Sequence, residues 1–68
     1  METIKIKKSE IIELRVNESE FNGRKFINIR DYFLDKINEQ YKPSKKGVAM
    51  TPEVWKQLLS ELKKRDLI

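Results

Sequence analysis

The sequence predicts an α+β fold: a four-stranded antiparallel sheet followed by one C-terminal helix, in the order β-β-β-β-α, within a single domain covering residues 1–68. Three observations carry this expectation. Apolar and polar residues alternate over several short stretches, the two-residue period of half-buried strands. The connections between those stretches are short and turn-rich, which joins neighbours antiparallel and leaves no room for a βαβ crossover. The last part of the chain opens with a helix start signal and continues with apolar residues at helical spacing.

Residues 3–8, TIKIKK, place Ile4 and Ile6 on one face and Lys5 and Lys7 on the other. Alternation resumes with Ile12, Leu14 and Val16 against Glu13 and Arg15, as one long strand bulged near Ser9 or as two short pieces. Asn17-Glu18-Ser19-Glu20 reads as a polar loop. Asn22-Gly23 is a strong turn signal, because both residue types accept positive φ. Arg24 to Leu34 is the clearest strand: its even positions are Arg24, Phe26, Asn28, Arg30 and Tyr32, and its odd positions include the core candidates Ile27 and Ile29. Asp31 interrupts the apolar face, so a break or bulge is expected there. Asp35 to Asn38 reads as a turn, Glu39 to Lys42 as a short strand, Pro43-Ser44 as another turn and Lys45 to Met50 as the last strand.

Thr51-Pro52-Glu53 then starts a helix: the hydroxyl caps free amides, proline suits the first helical position, and glutamate favours the positive helix end. Trp55, Leu58, Leu59 and Leu62 form one apolar stripe expected to meet the sheet, with Trp55 and Met50 as core. Lys63, Lys64 and Arg65 close the helix where cations are favoured, and Leu67-Ile68 is an apolar tail.

Sixty-eight residues bury little surface, and the absence of cysteine and histidine removes disulfides and the usual zinc sites. Association with a second copy is the remaining common stabiliser, so a homodimer is expected. No apolar run approaches the roughly 20 residues of a membrane span, and METIKIKKSE is no signal peptide. An intracellular location is therefore expected: nucleus in a eukaryote, cytoplasm or nucleoid in a bacterial or viral setting. No nucleophile–base arrangement or metal-ligand cluster is visible, so neither enzyme chemistry nor a cofactor is expected.

Charge is concentrated. Residues 21–50 hold seven cations and three acids, which accounts for the entire net charge of +4, and five of the six aromatic side chains. Clustered cations attract phosphate, and flat rings offer stacking surfaces to unpaired bases. A lone surface lysine is ordinarily just solvated, and Phe26 and Tyr32 fit ordinary cross-strand packing equally well. What lifts Arg24, Arg30, Lys45 and Lys46 above that reading is their clustering with rings.

The stretch FNGRKFINIRDYF, followed by KPSKKGVAMTPEVW, resembles the C-terminal domain of the transcriptional positive coactivator p15 family, also called positive cofactor 4 (PC4). The resemblance covers roughly residues 21 to 62 and implies a curved sheet, a homodimer and single-stranded DNA held across the sheet. It implies roles in transcription, replication, recombination or repair. Carried over by motif, it points to Phe21 and Phe33 as stacking rings, and to Asn22, Arg24, Arg30, Lys42, Lys45 and Lys46 around the turns and central strand. Lys8 and Arg15 enter through a looser match upstream. Phe33 stands where animal members carry Trp, Asn22 replaces a usual Lys, and Ser44 a usual Gly. Two other uses of the same face are docking of an acidic transcription or replication protein, and RNA binding as a chaperone; nothing in the residues forbids RNA.

Overall fold

A computed structural model describes residues 2–68. Four strands, β1 (Ile4–Lys7), β2 (Ile12–Phe21), β3 (Arg24–Asp35) and β4 (Gln40–Met50), form one antiparallel meander in sequence order, and α1 (Pro52–Lys64) follows. The element order matches the sequence reading, but the strand boundaries shift in three places.

The first stretch resolves into two strands rather than one bulged strand. Ser9 decides this. Its hydroxyl accepts hydrogen bonds from the Ile11 and Ile12 amides, at 3.3 and 3.1 Å, closing a turn that sends β2 back along β1.

Residues 17–20, expected as a loop, are the continuation of β2. The ladder with β3 runs without interruption from Ile12↔Phe33 to Phe21↔Arg24. Polar side chains here bond across it: the Asn28 amide donates to Asn17 Oδ1 at 3.2 Å and to Ser19 Oγ at 2.9 Å. The hairpin closes at Asn22 and Gly23, with φ of 53° and 75°, as the turn signal predicts.

Pro43-Ser44 is not a turn between two strands. β4 is continuous, and the irregularity is a bulge between the pairs Arg30↔Gly47 and Tyr32↔Pro43. The single residue Asp31 stands against Ser44, Lys45 and Lys46. Proline, lacking an amide hydrogen, is tolerated at such a break. The bulge expected near Asp31 therefore exists, but only on the β4 side; the β2 side keeps its alternation.

Register fixes the faces. Ile4, Ile6, Ile12, Leu14, Val16, Ile27, Ile29, Val48 and Met50 share one. Asp31 on this face is answered by Lys8, whose Nζ lies 3.0 Å from its carboxylate. Thr51 caps α1, accepting from the Val54 amide, and Pro52 begins it. Trp55, Leu59 and Leu62 are half-buried, whereas Val54 and Leu58 remain 49% and 39% exposed. Met50 and Trp55, expected as core, are half-buried, and none of the described residues is fully buried.

The subunit is correspondingly open. Its accessible surface is 5799 Å², against about 4,500 Å² for a compact chain of this mass. Its radius of gyration is 14.1 Å, against about 11 Å for a globule of this length.

The Gly23 turn provides a direct check. A Cβ there meets no neighbouring atom, so any cost of Gly23→Ala comes from the positive φ alone. Urea unfolding is expected to show a loss of about 1–2 kcal/mol.

Candidate nucleic-acid interface

The face opposite the apolar one carries Lys5, Lys7, Arg15, Phe21, Arg24, Phe26, Arg30 and Tyr32, interspersed with Asn17, Ser19 and Asn28. Its charged groups are held in specific ways.

Arg30 lies across β4. Its Nη1 donates to the Ser44 carbonyl at 2.8 Å, so the guanidinium is anchored to the bulge that also presents Lys45 and Lys46. Gly47 makes room for it: a Cβ at that position would come within 2.7 Å of the Arg30 guanidinium carbon. Gly47 is needed here for space, not for an unusual φ, and the KKG sequence is the one signal that could have shown it.

Arg15 is held differently. Its Nε donates to Glu13 at 2.7 Å, and its guanidinium carbon sits 4.3 Å from the Tyr32 ring centroid and 5.4 Å from that of Tyr41. The sequence does not single out Tyr41, and it leaves Tyr32 open between cross-strand packing and a binding ring. The Glu13–Arg15 spacing on one strand face was the available signal.

At the hairpin tip Phe21 is 69% exposed, opposite Arg24. A shallow groove lined by Arg24, Lys25, Thr51, Pro52 and Glu53 sets this tip beside the start of α1. Among the described residues, Arg24, Arg30, Lys45 and Lys46 make no ion pair.

The remaining sequence candidates are placed elsewhere. Because the β2–β3 alternation never breaks, Phe33 falls on the face of Ile27 and Ile29, opposite Ile12 on one side and Lys42 on the other. The sequence grouped Phe33 with Phe21; the register separates them. Lys42 is engaged by Asp35 at 2.8 Å, and Lys8 by Asp31. Asn22 occupies the hairpin turn.

These features fit a recognised family. The family model for Transcriptional Coactivator p15 (PC4) matches residues 8–61, covering β2, β3, β4 and most of α1. The chain belongs to the PC4 family. A Caenorhabditis elegans relative is 34% identical over 50 residues, 69% of this chain and 40% of its own length. The RNA polymerase II transcriptional coactivator SUB1 of Saccharomyces cerevisiae is 38% identical over 45 residues, 66% of this chain and 15% of its own. The chain thus spans less than half the length of either relative.

Two solved structures share the PC4 fold seen here. A PC4 homolog from Burkholderia pseudomallei K96243 superposes with a TM-score of 0.78 at 23% identity, covering 96% of this chain and 88% of that one. A bacteriophage T5 homolog of the eukaryotic transcription coactivator PC4, implicated in recombination-dependent DNA replication, superposes at 0.68 with 28% identity, covering 97% and 81%.

Asp35 links this region to pH. The Lys42 ammonium, and then the Asn38 amide, hold its carboxyl well below the ordinary value of 3.8. A depressed folded value means the stabilisation is present above the unfolded value and is lost as pH falls through and below it. Urea unfolding is therefore expected to show stability declining from about pH 4 downward, and Asp35→Asn to flatten that decline. Identical acid limbs for the two chains would contradict this.

Proposed function

We propose that the chain is a non-sequence-specific single-stranded DNA-binding module that acts as a homodimer. It engages unpaired strands during replication, recombination, repair or transcription. One observation carries this reading: Arg24 and Arg30, on the face that carries the exposed ring of Phe21, and Lys45 and Lys46, in the bulge beside Arg30, all lack carboxylate partners among the described residues.

The contacts divide into two clusters. Phe21, Asn22 and Arg24 form one at the hairpin tip; Arg30, Lys45 and Lys46 form the other at the bulge. Arg30 lies six residues beyond Arg24 along β3, about 20 Å of extended strand. Phosphates meet the cations, and a base stacks on Phe21, each such stack contributing about 1–3 kcal/mol with little sequence preference. Phe33 and Lys42 lie on the other face, so a strand reaching them has to pass round the sheet end. Lys8 contributes only in competition with Asp31, and Arg15 through the guanidinium nitrogens that Glu13 does not engage. Kinship with proteins named transcriptional coactivators, and with a phage homolog implicated in replication, supports a role wherever strands are open.

The dimer reading rests on the uncovered apolar face. Ile4, Ile6 and Val48 of that face are about half exposed, and Val54 and Leu58 of α1 are exposed as well. The excess surface of the subunit, over 1,000 Å² beyond the compact expectation, exceeds the roughly 800 Å² per partner of a standard interface.

Two measurements test these statements. For a contact of about four phosphates, oligothymidylate affinity is expected to fall with log salt at a slope of roughly −3. Phe21→Ala should weaken it at least fivefold, Gly47→Ala should weaken it by displacing Arg30, and Phe33→Ala should matter less than Phe21→Ala. Equal affinity for a duplex of the same length would sink the proposal. Separately, sedimentation should give a dimer for the unaltered chain and a monomer for Leu58→Glu.

A further inference from the structure

β1 lies outside the family match, which begins at residue 8, yet it adds to the charged face. The register sets Lys5 opposite Arg15, Arg15 opposite Arg30, and Arg30 opposite Gly47. Three cations therefore stand in one row across β1, β2 and β3, on the same side of the sheet. At the ordinary spacing between strands the row is about 10 Å long, longer than a single phosphate group.

Like charges directly opposite one another oppose strand pairing. Here only the middle member is compensated, by Glu13. Among the described residues Lys5 has no carboxylate partner, while Lys7, the other lysine of β1, at least stands opposite Glu13. The two arginines are held in place: Arg15 over Tyr32, its terminal nitrogens making no hydrogen bond among the described residues, and Arg30 on the Ser44 carbonyl. At its far end the row meets the bulge with Lys45 and Lys46. A line of cations of this length, with both arginines held in place and only the middle one paired with an acid, suits an anionic polymer better than a small anion.

We propose that Lys5 is a further phosphate-binding residue, which extends the contact of a bound strand from the bulge, Arg30 and Arg15 on to β1. This rests on the single-strand-binding reading above. An edge lysine that merely discourages sheet-to-sheet pairing has no such role.

The test uses the full chain and fluorescent oligothymidylate, titrated at several salt concentrations. Lys5→Gln is compared with Lys56→Gln, which removes the same charge from an exposed position on α1. Lys5→Gln is expected to weaken binding roughly three- to tenfold and to reduce the salt slope by about 0.7, the share of one phosphate. Lys56→Gln should change neither appreciably, and Lys5→Arg should bind like the unaltered chain, which separates lost charge from lost fold. If Lys5→Gln and Lys56→Gln give the same affinity and slope while the unaltered chain binds, the inference is overturned and the parent reading stands. If the unaltered chain does not bind, both fall.

Discussion

The antiparallel register between β2 and β3 governs this molecule. It begins at the Asn22-Gly23 turn, whose two positive φ angles close the hairpin with Phe21 facing Arg24, and it continues without slip to Ile12 and Phe33. Because strand side chains alternate, a slip of one residue would exchange the two faces completely. The register thereby decides that Arg15, Arg24 and Arg30 share a surface, and that Ile27, Ile29 and Phe33 share the other. Side-chain bonds from Asn28 to Asn17 and Ser19 tie the two strands together in its polar stretch.

With one face fixed by this ladder, β4 is free to depart from it. The bulge opposite Asp31 takes the Ser44 carbonyl to the Arg30 guanidinium and presents two lysines beside it. Gly47 completes the arrangement by omission of a side chain. Ordering Arg30 in advance lowers the conformational cost of any contact it makes, since a long cationic side chain otherwise loses considerable rotamer freedom on binding. Arg15 is ordered by a different means, an acid on one side and aromatic rings beside it.

The other face shows what a chain this small leaves undone. A sheet and one helix cover Trp55, Leu59 and Leu62 only partly and leave Val48, Val54 and Leu58 open. Charged pairs such as Lys8–Asp31 and Lys42–Asp35 occupy the periphery. In each pair the lysine is about half exposed, which limits what the pair adds to stability, so the described part of the subunit lacks a closed core and gains only a modest polar substitute. The open face and the charged face point away from each other, so the association and the nucleic-acid binding proposed above would not compete for surface.

Much of this was legible in the residues. The helix was plain because Thr51, Pro52 and the apolar stripe act locally, and the hairpin was plain because Asn-Gly has few other uses. The concentration of charge and rings in residues 21–50, and with it the family, needed no coordinates. Where reading failed, the cause was non-local. Asn17 to Glu20 looks like a loop until Asn28 is seen across from it, and Pro43-Ser44 looks like a turn until β3 is seen to pair on both sides of it. Sequence by itself determined the order of elements, the position of the turn and the chemistry available for binding, because those follow from local dihedral preference and composition. Only the tertiary structure decided which cations stand together, which are already neutralised, and that Phe33 faces away from Phe21, because those depend on the pairing of strands distant along the chain.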